Sequence, residues 1–262
     1  MARTGRGVNA IVLAGGGPDA VSATVPGLPN KAFVEIGGIA LVERVIAALR
    51  GAPGVGRIIA VAPPASHGHA ALAAADERRA DGARMVESLE SGLAGAAPDE
   101  LLLIAASDLP VLTVAAIAEF LEQAQARDLD VAYAIVSQRD HLAAYPNVPH
   151  TWAKMVEGRF CGGGLVALKP RVLPALRVVL DDLGAARKSP LRLAARFGWD
   201  ILPRFALGSL TVEAAERRAT TILHAPAGAI RCSHAEIAVN VDRPADVGLA
   251  NGLVEAAAKR HG

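Results

Sequence analysis

Four short apolar runs constrain this chain more than any other feature: Ala10–Ala14, Arg57–Ala62, Leu101–Ala106 and Asp130–Val136. Each is nearly continuous rather than alternating, as strands buried on both faces of a sheet read. Between them, Ala40–Arg50 and Thr113–Arg127 carry apolar residues at helical spacing, and Thr113 stands where an N-cap belongs. Ser88–Leu93 starts a further helix, His69–Arg79 reads as another, and Gly82–Val86 as a short strand. Strand and helix in alternation predict right-handed crossovers and a mainly parallel sheet, an α/β fold.

The pattern changes after Ser137. Gln138–Arg159 is polar, contains Pro146 and Pro149, and reads as loop. Cys161–Lys169 reads as a glycine turn entering a strand, and Pro170–Arg218 as several helices with a basic patch at Arg187-Lys188. Ile237–Val241 reads as the last strand, with a closing helix to about Lys259. No repeat, low-complexity tract or linker divides the sequence, so residues 1–262 are taken as one domain with a helical insertion at roughly residues 171–235.

Composition supports helices packed closely on a sheet: 52% of residues are hydrophobic but only 3% aromatic. The net charge of +1 gives no electrostatic argument for nucleic acid or an anionic membrane as a partner. No run approaches the roughly 20 apolar residues of a membrane helix. The basic start, MARTGRG, leads into no long apolar region and makes a poor signal peptide. Cys161 and Cys232 do not make a disulfide framework, and no histidine (His67, His69, His141, His150) stands at metal-ligand spacing from them. A reducing cytoplasm is the expected location.

The chemistry concentrates where strands end. Asn9–Lys31 runs from a buried strand through Gly15, Gly16 and Gly17 to a lysine. Exposed backbone N–H groups in such a turn make an anion-binding concavity, and Lys31 adds a mobile positive charge. Asp108 and Asp242 follow two other apolar runs; each would serve as a turn or cap residue, or together they would hold a hard cation such as Mg2+. These are the parts of a nucleotidyl- or phosphoryl-transfer site.

Five segments, in order, carry a family resemblance: LAGGG with PNKAFVEIGG, ESLESGL, ASDLP, CGGG and NVDRPAD. The set resembles the MobA-like NTP transferases, nucleotidyltransferases with a GT-A-like fold that include the molybdenum cofactor guanylyl- and cytidylyltransferases. The resemblance implies a Rossmann-like three-layer sandwich with a mainly parallel mixed sheet. It implies NTP and a small phosphorylated acceptor as substrates, Mg2+ as cofactor, no nucleic acid, and leaves a homodimer open. Leu13, Ala14, Gly15, Gly16, Gly17, Lys31 and Ser88 would bind the nucleotide, with Lys31 and Asp108 catalytic. Asp108 and Asp242 would hold the metal, and Gly162 and Gly163 would line the acceptor side. Two departures stand out. The loop from Pro18 to Asn30 lacks the family's arginine and carries Asp19 instead, so phosphate charge must be met from elsewhere. The C-terminal third does not match the cofactor enzymes, which implies a different acceptor. Rival readings are a glycosyltransferase of similar fold and a nucleotide-binding regulatory domain without turnover.

Overall fold

The computed structural model describes residues 7–186 and 201–261. In chain order the strands are β1 (Val8–Leu13), β2 (Glu35–Ile36), β3 (Ile39–Ala40), β4 (Val55–Ala62), β5 (Glu77–Ala80), β6 (Leu102–Ala106), β7 (Val131–Ser137), β8 (Ala153–Met155), β9 (Gly158–Leu168) and β10 (Ala227–Arg231). The helices are α1 (Leu41–Gly51), α2 (Met85–Leu93), α3 (Val114–Ala126), α4 (Gln138–Ala144), α5 (Leu173–Ala186), α6 (Ile201–Ala206), α7 (Val212–Leu223) and α8 (Pro244–His261).

Among the described residues one eight-stranded mixed sheet dominates, in the order β10-β7-β9-β6-β1-β4-β5 with β8 on β9. Within this sheet only the pairs involving β9 are antiparallel, while β2 and β3 form a separate antiparallel pair. β1 lies at the centre because Ala10, Ile11 and Val12 are wholly buried and need cover on both faces. Its even-numbered side chains meet α1 and α3, while Ile11 packs with α2 and α5 on the other face. This is the mainly parallel α/β sheet that the strand–helix alternation predicts, in the three-layer, Rossmann-like arrangement that the family resemblance implies. On α1, Leu41, Val42, Val45, Ile46, Ala48 and Leu49 are buried. Each of the larger ones contributes about 1.5–3 kcal/mol as an upper bound. Thr113 does cap α3, its hydroxyl accepting from the Ala116 N–H at 3.1 Å. The parallel register sets Leu13 beside both Val61 and Ala106, so the glycine loop and Ser107-Asp108 leave neighbouring strands at the same end of the sheet.

Several expectations are corrected. His69–Arg79 is not a helix: a short turn at Ala70–Leu72 leads into edge strand β5, sequence ERRA. Local alanine content favours helix there, but the Arg79 guanidinium is drawn to the carbonyls of Ser91, Gly92 and Ala94 at the C-terminus of α2. Gly82–Val86 is accordingly loop and the start of α2, not a strand. Gln138–Arg159 is not simply loop, since Ser137 caps α4 by accepting from the Asp140 N–H, and β8 follows. Ile237–Val241 forms no sheet strand; its apolar side chains are buried against the core while a short 3-10 turn shapes the backbone. The last strand is instead β10, inside the segment expected to be all helical. It pairs in parallel with β7 because Ala227 and Ile230 must be buried against the sheet edge. Arg187 and Lys188 lie outside the described residues. No helix among those described is long and apolar enough to cross a membrane.

Candidate active site

Beyond β1, Gly16 adopts a φ of +98°, a conformation open to glycine at little cost. Its N–H donates to Asp81 Oδ2 at 2.7 Å, and a Cβ on Gly15 would stand 2.6 Å from the Asp81 Cβ. Asn30 holds the loop from the far side. Its Nδ2 donates to the carbonyls of Ala14 (3.0 Å) and Gly16 (2.9 Å), and its Oδ1 accepts from the Ala32 N–H at 2.9 Å. Asp19 does not confront a ligand with bare charge. Burial pushes its carboxyl up, but N–H groups of Ser22, Lys31 and Val21 outweigh that and hold it below the usual range. The carboxylate is spent on closing the loop.

That closure delivers Lys31 to the end of β6. Lys31 Nζ lies 2.6 Å from Asp108 Oδ2 and 2.5 Å from Asp242 Oδ1. Burial lowers the lysine's pKa, but the two carboxylates outweigh it and hold the ammonium above its ordinary range. Burial likewise pushes Asp108 up; Lys31 opposes this and the second carboxylate, Asp242, adds to it. The two aspartates meet because the Val241 N–H donates to the Asp108 carbonyl at 3.0 Å, although they are far apart in sequence. Asp242 is braced by the Asn240 amide, while Asp246 accepts from the Asp242 and Arg243 N–H groups and caps the start of α8. Two carboxylate oxygens already grip one cation here. An all-oxygen donor pair of this kind fits a hard divalent ion, which takes one or two carboxylates and leaves its other positions to phosphate and water.

Two cavities join at this point. One, of about 530 Å³, is lined by Leu13, Gly15, Gly16, Gly17, Lys31 and Ser88, together with Gly82, Ala83 and Arg84. The other, of about 730 Å³, is lined by Gly162, Gly163, Asp242, Arg243, His150 and Tyr133. Asp108, Gly163 and Gly164 belong to both. Ala14 does not reach either: its N–H is given to the Val61 carbonyl and its carbonyl to Asn30, so it supports the loop from behind. Ser88 sits inside α2, which begins at Met85 rather than at Ser88, and its hydroxyl accepts from the Gly82 N–H at 3.0 Å.

The CGGG segment is not a turn. Gly162, Gly163 and Gly164 lie within β9, none at a positive φ, where the register with β7 shifts between Gly162 and Val166. They are glycines because of their neighbours. A Cβ on Gly163 would stand 2.3 Å from Ile237 Cγ2, on Gly164 2.8 Å from the Leu109 methyls, and on Gly162 1.9 Å from the Tyr133 hydroxyl. Gly163 and Gly164 line both cavities, and Gly162 lines the larger one alone. Lys154 and Arg159, on β8 and β9, are exposed and line neither cavity. Arg84 escaped the sequence reading because it lies in a loop with no motif. It stands at the start of α2, paired with Glu87 and Asp181, and brings to the cavity beside the glycine loop the basic group that residues 18–30 lack. Asn30 was also overlooked; its place just before a short turn whose Ala32 N–H it caps was the available signal.

A profile of the MobA-like NTP transferase domain matches residues 10–193. The chain belongs to this family. The chain is 33% identical to a hypothetical transferase from Thermus thermophilus, covering 92% of this chain and 99% of that one at a TM-score of 0.80. It shares its fold with a 2-C-methyl-D-erythritol 4-phosphate cytidylyltransferase, also from Thermus thermophilus, at 19% identity, 95% and 99% coverage and a TM-score of 0.54. A CMP:2-keto-3-deoxy-manno-octonic acid synthetase complexed with CTP is similar at 15% identity, 96% and 99% coverage and a TM-score of 0.56. No curated protein matches the sequence.

Proposed function

We propose that this MobA-like NTP transferase moves a nucleoside monophosphate from an NTP to a small phosphorylated acceptor, releasing pyrophosphate. The observation that carries this reading is the shared wall: Asp108, beside Lys31 and Asp242, stands where two cavities meet, both lined by Gly163 and Gly164. Such a layout suits two substrates reacting across one junction. The triphosphate lies on the side of Gly15–Gly17, which line that cavity, and Arg84 supplies charge at its rim. The acceptor lies over Gly162 and Gly163. An acceptor phosphate oxygen attacks the α-phosphorus, the α–β bridging bond breaks, and its electron pair leaves with pyrophosphate. No covalent enzyme intermediate is needed, so the protein's task is positioning and charge neutralisation.

Lys31 is the mobile element. Once a substrate phosphate enters, its ammonium exchanges an aspartate for a phosphate oxygen and follows the charge as it develops. Asp108 and Asp242 would then hold a magnesium ion, which when bound supplies a Lewis acid for the phosphate oxygens. Asp81 releases the Gly16 N–H to the incoming anion, a charge-assisted bond replaced by one of the same kind.

The test is pyrophosphate release from ATP, CTP, GTP or UTP over a panel of phosphorylated sugars and alcohols, with Asp108→Asn and Asp242→Asn alongside. Turnover with one NTP, lost in both variants while the fold is kept, is expected. Near-normal turnover in a folded Asp108→Asn chain would overturn the assignment. Saturable NTP binding with no pyrophosphate from any acceptor would favour a regulatory domain instead.

A further inference from the structure

His141, His150 and Cys161 come together behind the acceptor-side cavity. One side-chain ligand atom from each lies within 4.8 Å of the other two. His141 is fully buried on α4, and Cys161 is 5% exposed on β9. Tertiary packing alone assembles them, because the segment that follows α4 folds back over the strand.

Hydrogen bonding settles which atoms face inward. His141 Nε2 lies 3.3 Å from the Val148 carbonyl, while its Nδ1 is buried with no partner. The ring of His150 bonds the Ala238 backbone, while its Nε2 is buried with no partner, so the bonded nitrogen is Nδ1. A nitrogen that donates to a carbonyl carries the proton. The other nitrogen of each ring is therefore a bare lone pair, and each is buried with nothing to accept from, in two residues that cluster with Cys161. Cys161 Sγ completes the group with only a long, 3.8 Å contact to the Val136 carbonyl. Ring packing accounts for the enclosure, with Trp152 centred 5.5 Å from His141 and 5.7 Å from His150. It does not account for the orphaned nitrogens. Imidazoles oriented through a backbone carbonyl on the far nitrogen are the usual supporting arrangement of metal ligands.

We propose that His141 Nδ1, His150 Nε2 and Cys161 Sγ form a second metal site, for a borderline-soft divalent ion of the zinc class. Two imidazoles and a thiolate suit such an ion, whereas magnesium selects the oxygens of Asp108 and Asp242. On binding, the sulfur–metal bond replaces the S–H bond and the thiol proton leaves to solvent. Three protein ligands leave a fourth position. His150 and Cys161 both line the acceptor-side cavity, so that position opens toward it and would take water or an anionic oxygen of the acceptor. The site also ties α4 and its following segment to β9 beside Gly162. It does not depend on the transferase reading, since the ion alone tests it.

The experiment uses the full chain, stripped with a chelator and titrated with Co2+ in the presence of excess Mg2+. One ion per chain is expected, with a thiolate-to-cobalt charge-transfer band that Zn2+ abolishes by displacement. Cys161→Ser should lose the band, and His150→Gln, which removes a ligand rather than the outer-shell partner of one, should weaken binding by at least about 100-fold. The sequence holds two cysteines, so retention of the band in Cys232→Ser assigns it to Cys161 even if Cys161→Ser fails to fold. Absence of the band in the native chain, or unchanged affinity in folded Cys161→Ser and His150→Gln, would overturn the site.

Discussion

Replacing Lys31 by methionine is the perturbation with the most to teach, because it acts on folding and on magnesium binding in opposite directions. The substitution keeps the length and apolar stem of the side chain but leaves Asp108 buried without a cation, beside Asp242. Removing one partner of a buried pair costs about 3–5 kcal/mol. The Lys31 side chain is 28% exposed, so water screens part of the loss and about 2–3 kcal/mol is the reasoned figure near neutrality. Its pH dependence has a definite sign. Asp108 is a carboxyl whose folded pKa is raised, so its ionised form opposes folding as pH rises from the unfolded value through the folded one. Without Lys31 that pKa rises further and the penalty widens; in acid, with Asp108 protonated, the two proteins converge. At the alkaline end they converge again, because the raised pKa of Lys31 means its contribution is lost only as pH climbs through that folded value. Urea unfolding of both chains from about pH 4 to 8 measures the difference. The ammonium also competes for the seat between the aspartates, so magnesium should raise the melting temperature more in Lys31→Met than in the native chain, while turnover is abolished. A stability difference that is absent, or constant across the pH range, would refute the electrostatic account.

Three other outcomes follow from the same geometry. Asn30→Ala removes three hydrogen bonds at a residue only 2% exposed; it should cost about 2–4 kcal/mol in urea unfolding and weaken NTP binding by loosening the glycine loop. Gly163→Ala drives a methyl onto Ile237 and should lose about 1–3 kcal/mol, whereas Gly162→Ala meets the end of the Tyr133 side chain, which can turn aside, and should lose less. Burial pushes the Cys161 thiol up to about 11, and burial with Glu119 pushes Cys232 to about 12; both should resist alkylation in the metal-free native chain at about pH 8 and react on unfolding.

The glycine loop and Asp108 could be read from sequence because each directly follows a run of buried strand residues; the local pattern already says where the chain emerges from the sheet. Edge strands were not legible. ERRA in β5 is charged, and its pairing is decided by β4 beside it and by the carbonyls of α2 that Arg79 caps. AGAIR in β10 carries too few apolar residues to announce itself within a helical stretch. Ile237–Val241 failed in the other direction, being apolar enough for a strand yet buried by packing rather than by pairing.

The sequence by itself determined the α/β class, the order of the central elements and the family, because short buried runs and glycine turns are local facts carried by consecutive residues. The tertiary structure decided everything that joins distant positions. It set Lys31 between Asp108 and Asp242, tied Asp19 into its own loop, brought Arg84 to the cavity to which residues 18–30 contribute no cation, and gathered His141, His150 and Cys161. The physical reason is the same throughout. Charge compensation and lone-pair satisfaction are met by whichever group the fold brings within a few ångströms, and spacing along the chain does not reveal which group that is.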